Sequence, residues 1–522
     1  MRRRPQIPCM TIPQSVPALP TGLTAAACER ALAARDARFD GLFYVGIIST
    51  HIYCRPVCPA RVSITTNRRF FGSRAAAEQA GFRPCMRCRP ELAPGRAPVD
   101  AVSRLGVAAA MRIEAGALNE CGVAELAAEL GVSARHLRRA LEREFGVSPA
   151  ELALTHRLLL AKQLLTDTTL PVTQVAFASG FRSLRRFNAA FRERYRMAPS
   201  ALRRSPRFRR RVDDAEAMSG DTLHLTLGYR MPFDWSGLLA LLRRDALPGV
   251  EQAGPVQYQR MVRLDGHAGL ITAADANGHL AVDISASLVP VLMPLLPRLR
   301  RLFDLDAEPL VIDTQLEHTD LAPLVQRRPG ARLPGVLDPF DAVLAMLIRE
   351  GTSDTMMMRD VAGQVIGLAG VAVGTGWPGL GRAAPPPAAI AELGADRLSE
   401  IGMHRRAAGC LVRIAQRMAD GILRLAPGDD PEAARAALGA EGVSDQLAAA
   451  MVHRTMSWPD AFPSINPELL ARAERWRPWR AYGAVHLQLA AAGPVDGLSV
   501  RRRPVRPEHD VEDRRPRRTA VS

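Results

Sequence analysis

Apolar positions in this chain follow two different spacings. Residues 100–203 are patterned for helices arranged as two turn-separated pairs. In the first pair, VAELAAELGVSARHLRRALEREFG, Leu126 and Leu130 lead to Gly131, Ser133 stands where a helix cap is needed, and Leu137 and Leu141 point inward. Arg135, His136, Arg138 and Arg139 fall near the start of the second helix of that pair, outside its apolar stripe. In the second pair, VTQVAFASGFRSLRRFNAAFRERYRMAP, Val175 and Ala178 precede Gly180, Ser183 caps, and Leu184, Phe187 and Phe191 form the inner stripe. Arg182, Arg185, Arg186, Arg192, Arg194 and Arg196 are offset there by a single acid, Glu193. A short glycine turn between such helices suits helix-turn-helix packing, which presents a recognition helix to the major groove. One pair alone reads as solvated amphipathic helices. Two pairs about fifty residues apart, each with a basic second helix, point to sequence-directed DNA binding with arginines on phosphates and bases.

Beyond residue 203 the pattern changes. Residues 204–221 are charged and poor in structure signals, and predict a linker. From Leu223, short strand-like runs (LHLTL, GLITAAD, HLAVDIS) alternate with helices over roughly a hundred residues, and the remainder reads as a helical array. The fold class expected is multidomain α+β. At 522 residues there is length for several separate cores. The net charge of +16 suits a polyanionic partner, and nearly all of it is arginine; Lys162 is the only lysine. No apolar run is long enough to span a bilayer, so no membrane partner is expected. The first 25 residues are basic and broken by prolines, without the apolar core of a signal peptide, and are expected to be a disordered lead-in. Residues 496–522 form a charged tail.

Cysteine spacing adds chemistry. Cys54 and Cys58 are spaced C-x3-C, and after a long gap Cys85 and Cys88 are spaced C-x2-C, each pair flanked by Arg-Pro. Two close thiolate pairs match the tetrahedral sulfur site that Zn2+ prefers, and a basic surround favours deprotonated thiols. The alternatives are unrelated buried cysteines or two disulfides. Cys9, Cys28, Cys121 and Cys410 show no pairing pattern, which fits a reducing cytoplasm better than a secreted disulfide scaffold.

With these motifs in hand, three resemblances follow. Residues 38–91, through FYVGIISTHIYCRPVCPAR and FRPCMRCRP, closely resemble the N-terminal zinc domain of the adaptive-response regulator Ada. In that family the first cysteine is both zinc ligand and methyl acceptor, so the resemblance implies that Cys54 takes a methyl group from a DNA methylphosphotriester, once per protein. Methylation would turn a thiolate into a thioether, remove one negative charge and ease the approach of phosphate. Residues 100–203 look like an AraC-type DNA-binding domain, down to the Met197-Ala198-Pro199-Ser200 ending. From residue 223 to about 490 the landmarks YRMPFDWSGLLALL, LVPVLMPLLPRLRRLFDLDAEP, PGARLPGVLDPFDAVLAMLIREG and ERWRPWRAYGAVHL are similar to AlkA-type 3-methyladenine DNA glycosylases. The implied organisation is a zinc domain at 26–95, an all-α double helix-turn-helix at 100–203, a small α+β domain at 222–310 and an all-α helix-hairpin-helix glycosylase-like domain at 311–495.

The glycosylase motifs have departed at several positions. The family hairpin Leu-Pro-Gly-x-Gly-x-Trp-Thr reads here Ala440-Glu441-Gly442-Val443-Ser444-Asp445-Gln446-Leu447. Gly442 and Ser444 therefore take the phosphate-binding positions, and Glu441 and Asp445 place acids beside them. The pocket aromatics become Gln446, Ala450 and Gln488, and the position of the family's catalytic aspartate is Asn466. An amide does not stabilise a developing oxocarbenium ion as a carboxylate does; Glu468 or Asp460 would substitute only with a re-aimed backbone. No Pro-Cys-His-Arg motif of a base-lesion methyl acceptor is present. The leading expectation is a DNA alkylation-damage regulator that repairs methylphosphotriesters and carries a degenerate glycosylase domain. Its expected partners are double-stranded DNA, as methylated backbone and promoter sites, and RNA polymerase. The rival expectations are an active regulator–glycosylase fusion, and a zinc-containing transcription factor without methyl transfer.

Overall fold

Aromatic residues organise the first domain. The structure, a computed structural model, describes residues 23–60, 67–94, 104–205, 221–350, 354–374, 379–426 and 428–492, with Leu19 and Trp377; most of the expected lead-in, the linker and the tail lie outside these. After helix α1 (Ala25–Ala34), strands β1 (Tyr44–Ile47), β2 (Ile52–Cys54), β3 (Arg68–Phe71) and β4 (Arg83–Pro84) form one sheet in the order β3-β1-β2-β4. Gly46 at its centre leaves room for two rings: a Cβ there would stand 2.7 Å from Phe82 and 2.8 Å from Phe71. Helix α2 (Arg74–Gln79) covers the sheet.

The helical pattern of residues 100–203 becomes α3 (Arg104–Glu114), α4 (Ala117–Glu120), α5 (Val123–Glu129), α6 (Ala134–Phe145), α7 (Pro149–Asp167), α8 (Val172–Ala178), α9 (Leu184–Tyr195) and α10 (Pro199–Arg203). Ser133 and Ser183 cap α6 and α9 by accepting from His136 N and Arg186 N. Gly131 and Gly180 take the left-handed turns, at φ of 69° and 83°. The next domain is an antiparallel sheet in the order β5-β9-β8-β7-β6, from β5 (Thr222–Gly228), β6 (Glu251–Ala253), β7 (Gln257–Leu264), β8 (His267–Asp275) and β9 (His279–Ser285). Alternation buries Leu223, Leu225 and Leu227 of β5 with Leu280, Val282 and Ile284 of β9, against the helices Trp235–Arg244 and Leu292–Leu302. The helical remainder is centred on Pro339–Arg349, packed between Arg405–Ala419 and Asp445–Met456.

Cores cross the domain divisions. Leu126, Leu137, Leu141 and Leu152 share one apolar cluster with Tyr44, Tyr53 and Phe71 of the zinc-type domain. Phe187, Phe191 and Tyr195 share another with the β5–β9 sheet. Helix α7 belongs to both, through Leu152 and Ala153 at one end and Leu158 and Leu164 further on. The first two domains are also joined by buried charges. Arg194 of α9 reaches Glu78 of α2 at 3.3 Å, Arg89 meets Asp167 at 2.7 Å, and Lys162 pairs with Glu91.

That last pair generates a prediction. Burial pushes the Glu91 carboxyl up, but the attraction of Lys162 and Arg89 more than offsets it and holds the group below its ordinary range. Its contribution is therefore complete above the ordinary carboxylate pKa and is lost as pH falls through the depressed value. Lys162→Met, which leaves Arg89 as the remaining cation, should cost about 3 kcal/mol at neutral pH in urea unfolding and start the acid-side loss at higher pH.

Candidate functional site

The cysteine cluster is assembled by strand register. β2 runs parallel to β4 with Tyr53 beside Pro84, and Cys85 N donates to Tyr53 O at 2.9 Å. Cys54 and Cys85, the next residue on each strand, thus leave the sheet side by side, and the tight turns to Cys58 and Cys88 complete the set. The four Sγ atoms lie within 4.8 Å of one another, and all are free thiols, which removes the disulfide alternative. A zinc ion at about 2.3 Å from each sulfur requires sulfur separations of about 3.8 Å, so the donor set and its size fit Zn2+. All four residues are buried, Cys54 the least so at 9 %. Crowding splits their titration: hydrogen bonding with Cys54 leads in bringing Cys58 down to about 7, whereas bonds with Cys58, Cys85 and Cys88, together with burial, push Cys54 far up. A divalent ion displaces the protons held this way, which makes its binding pH-dependent.

The sulfurs differ in what else they touch. Arg55 N donates to Cys88 Sγ at 3.4 Å, Arg87 N donates to Cys85 Sγ at 3.3 Å, and a backbone bond from Ala60 helps lower Cys58. Among the described residues no backbone N–H donates to Cys54 Sγ. The Arg55 side chain is held by the buried Asp40, with Nε 2.8 Å from Oδ1, and donates to Cys88 O at 3.2 Å. Sequence reasoning passed over both Arg55 and Asp40, since one Arg and one Asp fourteen residues before Cys54 carry no spacing signal.

On the helix-turn-helix units, Arg135, His136, Arg138 and Arg139 of α6 are exposed, as are Arg182 before α9 and Arg185 and Arg186 on it. Arg194 differs from its neighbours: it turns inward to Glu78 and is a joint between domains.

In the C-terminal half, Gly442 has a φ of 85° and Ser444 caps the helix Asp445–Met456 by accepting from Leu447 N, so the hairpin turn forms. Both acids expected beside the phosphate positions, Glu441 and Asp445, are paired within the fold. Glu441 is buried against Arg417 at 2.8 Å and Arg413 at 3.5 Å, and Asp445 pairs with Arg435 at 2.5 Å. Arg413 and Arg417 are four apart on one helix, a spacing that offered the signal. Asn466 is exposed and caps the helix Pro467–Ala473, its Oδ1 accepting from Leu469 N at 3.1 Å. Gln446 reaches the same loop: its Nε2 donates to Pro463 O at 2.8 Å and its Oε1 accepts from Ile465 N at 3.0 Å. Asp460 is held by Arg477 at 2.8 Å and Arg480 at 2.9 Å. Glu468 is exposed and without an ion-pair partner among the described residues. Gln488 lies beside Arg244 at 3.5 Å.

Comparison with known proteins places these features. Family models match residues 27–91 as the metal binding domain of Ada, 126–205 as a helix-turn-helix domain and 224–338 as the AlkA N-terminal domain. A probable bifunctional transcriptional activator/DNA repair enzyme AlkA of Mycobacterium tuberculosis is 34 % identical over 488 residues, 90 % of this chain and 97 % of that protein. The chain belongs to this bifunctional AlkA family. Its C-terminal half also matches DNA-3-methyladenine glycosylase 2 of Escherichia coli, 29 % identical over 277 residues, covering 50 % of this chain and 95 % of that protein. The bifunctional transcriptional activator/DNA repair enzyme Ada of Escherichia coli is 47 % identical over 60 residues, 12 % of this chain and 17 % of that protein. As a member of the bifunctional AlkA family, the chain joins an Ada-type metal domain, with its four-cysteine zinc site, to a regulator's helix-turn-helix and a glycosylase-like half. No helix among the described residues is long and apolar enough to cross a membrane.

The purified protein should carry one zinc ion per chain by elemental analysis. Cys58→Ala should carry none and lose the near-UV signal of the aromatic cluster around Tyr53.

Proposed function

We propose that this AlkA-family protein senses DNA alkylation by accepting a methyl group at Cys54, and that its glycosylase-like half does not cut by the family's carboxylate chemistry. The observation that carries the first part is the hydrogen bonding of the cluster. An N–H donor draws negative charge from a thiolate and blunts it as a nucleophile; Cys54 is the sulfur without such a donor among the described residues, and the most exposed of the four. Zinc, when bound, keeps the thiolates deprotonated at neutral pH. Cys54 Sγ attacks the methyl carbon of a phosphotriester, forming the S–CH3 bond as the CH3–O bond breaks. The electron pair stays on the phosphate oxygen, so a charged diester is restored and no proton moves. The cluster loses one negative charge, repulsion of DNA phosphate falls, and binding through Arg135, His136, Arg138, Arg139, Arg182, Arg185 and Arg186 strengthens. Activation at promoters then brings in RNA polymerase as a protein partner. The free thiols suit a reducing cytoplasm.

The second part rests on Asn466 and Gln446. The Asn466 amide is spent on capping its own helix, and the Gln446 side chain ties the neighbouring loop where the family carries a pocket aromatic. The paired charges at Glu441 and Asp445 remove their repulsion of phosphate from the hairpin, so the half keeps DNA contact without base release. One observation favours the rival reading of an active glycosylase: Glu468, two residues past Asn466, is an exposed carboxylate without an ion-pair partner among the described residues.

Two experiments test these parts. After incubation with DNA bearing methylphosphotriesters, a methyl increment should appear on the tryptic peptide Phe39–Arg61 and fragment to Cys54 rather than Cys58. Its persistence in Cys54→Ala would sink the acceptor assignment. Release of 3-methyladenine from methylated duplex should be at background for the wild type and for Asn466→Asp, because the Gln446 tie remains. Release by wild type that disappears in Glu468→Gln, by about 100-fold or more, would establish the rival reading.

A further inference from the structure

The zinc-type domain does not merely precede the glycosylase-like half; it is fastened to it by one buried guanidinium. Arg230, just beyond β5, is 5 % exposed. Its Nε and Nη2 donate to Asp40 O in the first domain at 3.1 and 2.8 Å, and its Nη1 donates to Asp306 O at 2.8 Å and Ala307 O at 3.3 Å. The two ends of this fork lead to different places. Asp40 binds Arg55 through its carboxylate, and Arg55 donates its N–H to Cys88 Sγ. On the other side, Asp304 accepts from Leu333 N at 3.0 Å and from Tyr482 Oη at 2.8 Å, in the helical domain. Close backbone approach keeps the joint tight. A Cβ on Gly41 would stand 2.0 Å from Pro94 O and 3.2 Å from Arg230 Nη2, and one on Gly228 would stand 2.0 Å from Leu92 O.

We propose that Arg230 is a strut through which occupancy of the cysteine cluster governs the local stability of residues 304–308 and of the loop around Leu333. The chain of contacts is cluster, Arg55, Asp40, Arg230, then the Asp304–Ala307 turn. An ion in the cluster fixes Cys88 and with it Arg55 and Asp40; its loss frees Asp40 O, and the fork then holds only its own domain. This inference depends on the metal fit and is independent of which cysteine accepts methyl and of the activity of the glycosylase-like half.

Hydrogen exchange of the full chain is compared with zinc bound and after chelation under reducing conditions. Amides at 304–308 and 331–335 should exchange about tenfold faster without zinc, while the helix Arg405–Ala419 keeps its protection. Arg230→Lys, which keeps the charge and loses the fork, should exchange fast in both segments with zinc present, should respond no further to chelation, and should still bind one zinc per chain. No change on chelation in the wild type, an equal loss of protection in Arg405–Ala419, or a full response in Arg230→Lys would each overturn the strut. Should Arg230→Lys fail to fold, Arg55→Gln cuts the same chain one link earlier: a response weakened there supports the proposal, and an unchanged one overturns it.

Discussion

Taking a guanidinium out of water is costly unless carbonyls or carboxylates meet its donors, which favours docking arrangements that supply them. This requirement governs how the domains join. Arg89 needs Asp167, Arg194 needs Glu78, Arg230 needs the carbonyls of Asp40 and Asp306, and Arg260 needs Glu251 and Asp341. Such pairs contribute little net stability compared with apolar packing, but breaking one strands a buried charge, so they specify a single arrangement of the domains.

The same chemistry changes the meaning of the hairpin. Two acids in a turn expected to touch phosphate look hostile to DNA when read alone. Once Glu441 is buried between Arg413 and Arg417, it acts as a brace that orders the arginine-rich helix behind the turn. In this half the frame of the hairpin is kept, while Asn466 caps its own helix and Gln446 ties the neighbouring loop.

Local signals made much of this legible. Ser133 and Ser183 as caps, Gly131 and Gly180 as left-handed turns, and the Phe187–Phe191 stripe are all decided by interactions within a few residues. The cysteine pairs are equally plain, because metal ligands must be close in space and tight spacing is the simplest route to that. Strands β6 and β7 were less visible: QYQRMVRL mixes arginine with apolar residues, since Arg260 is buried through partners more than eighty residues away in one case. Nothing in a linear pattern marks Asp40 as the meeting point of Arg55 and Arg230, for one of those contacts spans 190 positions. The sharing of cores by α7 escaped for a related reason, as its buried residues lie all round the helix rather than on one stripe and do not tell what covers each side.

Lys162, the one lysine of the chain, is fully enclosed beside Glu91. Every other basic side chain apart from histidine is therefore an arginine, which keeps its charge at any physiological pH and offers no amine to an acylating agent. The arginines of the DNA-facing surface consequently supply a charge of fixed strength. Neither acidity nor acetyl transfer to side-chain amines can dim those arginines, so how strongly they meet a polyanion is set by where the fold holds them.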